Sequence, residues 1–288
     1  MHTIARRIIA WYDVAERSLP WREPGTTPWG VYVSEIMAQQ TQITRVAEAW
    51  VTWLARWPVP AALAAATPAD VVRQWAGLGY PRRAVWMHTA ATRMVALHGG
   101  EVPSTDAELR ALPGVGEYTA SAVRAFAYGQ RVAVLDVNVR RVHARVFEGT
   151  AAPGPSITNA ERSHHEAFLP SDAGEAARLS QAVMEFGALV CVAREPKCTT
   201  CPIVDACRWH ASGMPAGSGS RRQPRFEGSD RQCRGALMRV LREASSPVPA
   251  SMLEAAWADG LQRTRCLDGL VRDGLVEPLA AGRYALPG

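Results

Sequence analysis

The chain has 288 residues, 48% hydrophobic and 20% charged, which excludes a disordered or low-complexity protein and allows one large domain or a medium one with a smaller companion. No apolar run approaches the ~18 residues a membrane-spanning helix needs, and Asp13 and Glu16 cut the apolar segment behind Arg6 and Arg7 before it forms a signal-peptide core, so a soluble cytoplasmic protein that does not engage a membrane is expected. The net charge of +5 suits a polyanionic partner without requiring one, and Lys197 is the single lysine, so chemistry that needs a lysine has one candidate.

Residues 1–212 read as almost continuously helical. Ile4, Ile8, Trp11, Tyr12, Ala15 and Leu19 share one face at 3.6-residue periodicity. The segment Ser34-Glu35-Ile36-Met37-Ala38-Gln39-Gln40-Thr41-Gln42 sets one acid among apolar and amide residues, which spacing alone reads as a surface carboxylate. Thr67-Pro68-Ala69-Asp70 offers a helix cap followed by a proline at the first position, and Thr105-Asp106-Ala107-Glu108 matches a capping box. Leu112-Pro113-Gly114-Val115-Gly116 then separates two helical stretches. Such a turn can hold a phosphate on backbone N–H groups at a helix start, or it can join two helices and bind nothing. About twenty residues on, Asp136 ends an apolar run and precedes a basic helix, where a lone aspartate is most often an N-cap.

A second periodic face, Leu179, Val183, Phe186 and Val190, leads into Cys191, Cys198, Cys201 and Cys207. Four thiols this close in a cytoplasmic chain point to a metal or cluster site. Zinc usually takes two Cys-x2-Cys knuckles and only one such pair is present, so spacing favours iron–sulfur while leaving zinc and chance clustering open. Residues 213–229 read as a Gly/Ser/Pro/Arg linker. Beyond it, three helical stretches near 231–244, 249–258 and 261–273, followed by a hairpin over 275–286, resemble a winged helix.

The cysteine spacing at the end of a helical domain resembles the cluster loop of the endonuclease III and MutY family of DNA repair glycosylases. The glycine turn with Asp136 is similar to the helix–hairpin–helix and catalytic aspartate of that superfamily. Ser-Glu-x-Met-x-Gln-Gln-Thr-Gln, with Leu19-Pro20-Trp21-Arg22 and Gln181-Ala182-Val183-Met184-Glu185-Phe186-Gly187, resembles its MutY adenine-glycosylase branch. The resemblance covers residues 1 to about 210. It implies an all-α helix–hairpin–helix glycosylase domain over 1–212, with the hairpin motif at about 107–128 and an iron–sulfur loop at 191–207, and a small winged-helix-like module over 230–288.

The activity it implies is hydrolysis of the N-glycosidic bond of a flipped-out adenine mispaired with 8-oxoguanine or guanine in duplex DNA. By the same resemblance Glu35 is the general acid and Asp136 stabilises the developing sugar cation, with Tyr118 and Asn138 orienting the site. Gln40 is the wedge filling the vacated stack, and Thr41, Leu112, Gly114, Gly116, Arg194 and Lys197 meet DNA. Trp21, Arg22, Gln181 and Glu185 line the adenine pocket, and Cys191, Cys198, Cys201 and Cys207 hold a 4Fe–4S cluster. Bifunctional members carry a lysine nucleophile where Tyr118 stands, so imine-based lyase chemistry is not expected. A monomer is expected.

The chain departs from the family at Pro81, where a second tyrosine usually follows Leu78-Gly79-Tyr80, at Val137, where a glycine usually follows the aspartate, and in lacking a large Nudix-like C-terminal domain. Two other readings stay open: a glycosylase for thymine opposite guanine, and a non-enzymatic DNA-binding protein on a degenerate glycosylase fold. For the C-terminal module, either Arg263 and Arg265 reach DNA from a recognition-like helix, or Leu267, Leu270 and Val271 face inward and the module is a packing lid.

Overall fold

The computed structural model describes residues 2–217 and 225–288; residues 218–224 of the expected linker lie outside the described residues. In chain order the helices are α1 (His2–Ala15), α2 (Pro28–Ala38), α3 (Ile43–Arg56), α4 (Pro60–Ala64), α5 (Pro68–Trp75), α6 (Arg82–Leu97), α7 (Asp106–Ala111) and α8 (Glu117–Tyr128). They continue as α9 (Val137–His143), α10 (Asn159–Phe168), α11 (Ala173–Leu189), α12 (Arg208–Ala211), α13 (Asp230–Glu243), α14 (Ala250–Ala256) and α15 (Gly260–Arg272). Three short strands, β1 (Val248–Pro249), β2 (Glu277–Leu279) and β3 (Arg283–Ala285), form an antiparallel sheet in the order β1-β3-β2. Among the described residues no helix is long and apolar enough to cross a membrane.

The described residues fall into two compact units. One comprises 2–24, 104–107 and 116–217, the other 25–103, 108–115 and 225–288. In the first unit, Ala5, Ile8 and Tyr12 of α1 share a core with Val139 and Val142 of α9, Phe168 of α10, and Leu179, Val183 and Phe186 of α11. The apolar face expected for the first helix is present, with one correction: α1 ends at Ala15, and Leu19 is buried from the extended segment behind it.

In the second unit Thr27 caps α2, its hydroxyl accepting from Gly30 N at 3.2 Å, and Pro28 stands at the start, where its missing N–H costs nothing. Every residue of α2 from Trp29 to Met37 is buried. Thr67 caps α5 as its sequence implied, accepting from Asp70 N at 3.2 Å, and α7 begins at Asp106, just after the Thr105 that the capping-box pattern marks. Trp53 meets Trp57 and Trp75 edge-on, ring centroids 4.6 and 5.6 Å away, in the favourable geometry for such pairs.

Residues 230–288 belong to this second unit. The three expected helices appear as α13, α14 and α15, the first capped by Ser229 and the last by Asp259. Leu275 and Val276, expected in a strand, are instead buried ahead of β2, which starts at Glu277. β1 is a strand the sequence does not announce, because two residues, one a proline, show no alternation. The order helix, strand, two helices, two strands is that of a winged helix. Within it Leu270 is buried and Leu267 and Val271 are half-buried. Arg263 donates to Trp257 O at 2.7 Å and Arg265 pairs with Asp230 at 2.8 Å, so both arginines have partners inside the module.

Candidate active site

The site residues divide between the two units. In the second unit Glu35 lies on α2 with only 9% of its surface exposed. This corrects the surface reading that spacing alone suggests. Val33, Ser34, Ile36 and Met37, around it in the chain, are buried with it.

Three residues beyond the end of α2's buried stretch, Gln40 is exposed on a backbone with φ of 57°, a left-handed conformation uncommon outside glycine. The device that holds it there is Arg83 of α6. Its Nη1 donates to Ile36 O and Met37 O, each at 2.9 Å, and to Gln39 O at 2.6 Å. Its Nη2 donates to Thr41 Oγ1 at 2.9 Å and to Leu78 O and Gly79 O at 3.2 and 3.0 Å. One buried guanidinium thus satisfies the carbonyls left open where α2 ends. Burial pulls its pKa down to about 10. Thr41 Oγ1 in turn donates to Leu78 O at 3.0 Å, so Thr41 is a tie within this structure.

The glycine turn, Leu112 to Val115, also lies in this unit. Gly114 has φ of +79°, and a Cβ there would stand 2.9 Å from Cε3 of Trp86, so packing alone demands glycine. Its carbonyl accepts from Gln39 Nε2 at 3.2 Å. Leu112 is buried at its side chain. A DNA contact at Leu112 would run through its backbone, as the sequence reading of this turn has it. Gly116, in the first unit, caps α8 with extended backbone, and a Cβ there would meet nothing within 4 Å.

In the first unit Asp136 is the N-cap of α9. Its Oδ1 accepts from Val139 N at 2.6 Å and its Oδ2 from Asn138 Nδ2 at 2.7 Å. Burial raises its pKa, and those two hydrogen bonds work against the rise. The capping reading holds: the cap geometry fixes a carboxylate at a helix start. Val137 beside it is 66% exposed, so a side chain where the family usually has glycine meets solvent, not packing.

Asn138 is held by Arg141, whose Nη2 donates to Asn138 Oδ1 at 2.8 Å and to Gly187 O at 2.6 Å, while Nε donates to Cys191 O at 2.8 Å. Tyr118 on α8 packs partly buried against Ala122, Ala125 and Val134. Glu185 is 1% exposed and its carboxylate is taken by Arg17, with Nε at 2.5 Å and Nη2 at 2.9 Å, and by Arg22 at 3.1 Å. These pairs outweigh burial and lower its pKa. Glu185 thus anchors Arg17 and Arg22; Trp21 and Gln181 are half-buried.

Cys191, Cys198, Cys201 and Cys207 line one pocket together with Arg145, Phe186, Lys197 and Trp209. Arg145 donates from Nη1 to Cys191 Sγ at 3.4 Å and to Val192 O at 2.8 Å. Burial pushes the Cys201 thiol up to about 11. Among the described residues no three His, Cys, Asp or Glu side chains converge as a single metal ion requires; the thiols stand around a space. Arg194 and Lys197 are exposed on the same loop.

Residues 33–164 match the HhH-GPD superfamily of base excision DNA repair proteins. Over 282 residues the chain is 48% identical to the adenine DNA glycosylase of Mycolicibacterium smegmatis, covering 98% of this chain and 95% of that protein. The chain belongs to the adenine DNA glycosylases of this superfamily. The Mycobacterium tuberculosis adenine DNA glycosylase is 47% identical over 100% of this chain and 94% of its own. The human one is 37% identical over 70% of this chain and 38% of its own. Among solved structures, a thermostable thymine-DNA glycosylase superposes with TM-score 0.66 at 24% identity, covering 73% of this chain and 96% of that one. Endonuclease III trapped on DNA gives 0.64 at 21%, covering 74% and 97%. These two share the fold.

Sequence reasoning missed Arg83, Arg141 and Arg145. Each stands in an arginine-bearing helix where a solvated or DNA-facing role is the ordinary reading, and each is buried. The one signal that could have found them is their placement: Arg141 and Arg145 are four apart, the spacing that puts two side chains on one helix face.

Proposed function

We propose that the chain hydrolyses the N-glycosidic bond of adenine mispaired with 8-oxoguanine or guanine in duplex DNA, without strand cleavage, as a monomer acting in the cytoplasm. Residues 1–212 supply the chemistry, and residues 230–288, joined through 213–229, form the winged-helix-like module. The observation that carries the reading is Glu35, a carboxyl 9% exposed on a helix buried from Trp29 to Met37, in a chain of the adenine glycosylase family. Gln40 fills the gap left by the extruded nucleotide.

Glu35 gives its proton to a ring nitrogen of adenine. The bond from sugar C1′ to the base then breaks, its electron pair leaving on the neutral base. The Asp136 carboxylate, oriented by Asn138 and the α9 amide of Val139, offsets the positive charge of the oxocarbenium-like sugar until water adds. Trp21, Arg22, Gln181 and Glu185 shape the pocket for the base. Tyr118 orients the site and offers no amine, and Lys197 lies on the cysteine loop, so no imine is formed.

Cys191, Cys198, Cys201 and Cys207 suit a 4Fe–4S cluster, because four thiols line one pocket and Arg145 stands beside them to offset thiolate charge. The cluster supplies structural cross-linking when bound. Purified protein is expected to be brown, with about four iron atoms and no stoichiometric zinc.

The test is base release from duplexes holding adenine opposite guanine, 8-oxoguanine and cytosine, and thymine opposite guanine, the free base identified by mass spectrometry. Adenine should leave the first two, the product strand should survive until heated with alkali, and borohydride should trap no adduct. Release of thymine, or of no base, overturns the reading.

A further inference from the structure

The five carbonyls from Ala76 to Tyr80 are all bound. Arg242 Nη1 donates to Ala76 O at 2.7 Å, Arg45 Nη2 to Gly77 O, and Arg83 Nη2 and Thr41 Oγ1 to Leu78 O at 3.2 and 3.0 Å. Arg83 Nη2 and Trp75 Nε1 donate to Gly79 O at 3.0 and 2.9 Å, and Arg83 N to Tyr80 O at 3.0 Å. The turn is also bent against its own preferences: Ala76 has φ of 42° and Tyr80 φ of 46°. Non-glycine residues keep such conformations only where their surroundings over-determine them.

What this network presents is a side chain. Tyr80 is 49% exposed, an aromatic ring on a fixed backbone. The same Arg83 that anchors its turn anchors the backbone of exposed Gln40. An exposed ring so held has a face on which a base can stack, and stacking needs no hydrogen-bond code.

Four of the five anchors come from residues within 36 positions of the turn. The fifth, Arg242, is 166 residues away on α13. The module touches this region at further points: Arg73 Nη2 of α5 donates to Ala244 O at 3.5 Å, and Arg82 pairs with Asp273 at 3.4 Å. Meanwhile Arg263 and Arg265, which a DNA-reading helix would use, are engaged with Trp257, Glu254 and Asp230. Both arginines at the start of α15 are thus held within the module.

We propose that residues 230–288 act as a brace on the turn 76–80, and that Arg242 is a positioning residue which, through Ala76 O, fixes how Tyr80 meets duplex DNA. The module raises DNA affinity without contacting DNA. This rests on the reading of the chain as a duplex-probing glycosylase, so the test includes a measurement made without DNA.

Amide exchange by mass spectrometry on the full chain compares wild type with Arg242→Met, which keeps the stem and removes the donors. Exchange at Gly77 to Tyr80 should quicken roughly tenfold, as loss of a charged hydrogen bond implies, with peptides of α1 and α11 unchanged. KM for the adenine duplex should rise by a similar factor, roughly tenfold, while kcat moves less than about twofold, and the salt dependence of binding should keep its slope because no phosphate contact is lost. Arg242→Lys, still a donor, should recover most of both effects.

Turn exchange at the wild-type level in Arg242→Met overturns the brace. So does a shallower salt slope, or an Arg265→Gln variant that raises KM as much with the turn unchanged, either of which makes the module a DNA reader. If α15 peptides also exchange faster in Arg242→Met, the module itself has opened; Arg242→Lys then decides, since a brace requires its turn and its α15 both to match wild type. Absence of any base release by the wild type would sink the glycosylase reading while leaving the exchange result to stand for or against the brace.

Discussion

Arg141 in one unit and Arg83 in the other are both buried guanidiniums whose pKa burial pulls down. Arg141 reaches the Asn138 side chain that itself holds the Asp136 carboxylate. Arg83 binds backbone carbonyls and one hydroxyl. The first therefore bears on where a charge sits, the second on what shape a backbone keeps. Arg83, Arg141 and Arg145 are used inside the protein, a role that the net charge of +5 does not reveal.

The contrast is sharpest at Asp136 itself. Asp136→Asn keeps the cap on α9 and removes the charge, so single-turnover adenine release should fall by at least ~10²-fold with little change in thermal stability. Retained turnover would show that the cap, and not the charge, is what the first unit needs.

Arg83→Met should act in the opposite way. It leaves the carbonyls at the end of α2 and in the turn 78–79 without their donor, at a cost of about 2 kcal/mol in urea unfolding, together with weaker duplex binding. If stability held and only kcat fell, the backbone role assigned to Arg83 would be wrong.

Arg141→Met is expected to lie between them. Asn138 loses one of its two partners, and kcat should drop roughly tenfold, about 1.4 kcal/mol, with KM unchanged. A change in KM instead would place Arg141 in binding.

The first unit also carries a dependence on pH. His143 and His165 of the first unit are buried, with His165 Nδ1 and His143 Nε2 2.8 Å apart, one donating and one accepting. Burial, with His164 nearby and His165 also acting on His143, lowers the pKa of His143 to about 2 and that of His165 to about 4. The unfolded chain takes up protons at these residues below about pH 6.5 while the folded one does not, so their contribution is intact above that pH and declines as pH falls toward the folded values. Denaturation should show a loss of roughly 2–3 kcal/mol on going from pH 7.5 to 5.5, removed in a His143→Gln, His165→Gln double variant. A pH-independent wild type would contradict it.

Local signals carried most of the fold. Thr67-Pro68, the periodic faces of α1 and α11, the glycine turn and the three helices beyond the linker are each written in a few adjacent residues, and each is found where expected. What was not legible depends on burial that spacing cannot encode. α2 is apolar on every side, so no periodic face marks Glu35 as interior. Arg83 follows Arg82, which is half-exposed, and nothing in the pair says which one turns inward. β1 is too short to alternate. Asp136 as a helix cap and the grouping of the four cysteines were legible from position and spacing, whereas the inward turn of the arginines behind them shows in the chain only as the four-residue spacing of Arg141 and Arg145.

The proposed hydrolysis depends on Glu35 donating the proton that releases adenine. Glu35→Gln keeps the shape and hydrogen-bonding capacity of the side chain and cannot supply the proton. Its single-turnover rate on a duplex with adenine opposite 8-oxoguanine, measured beside its affinity for the same duplex, tests the claim most directly. The account predicts wild-type affinity and a rate lower by at least ~10²-fold. A near-normal rate at normal affinity would contradict it.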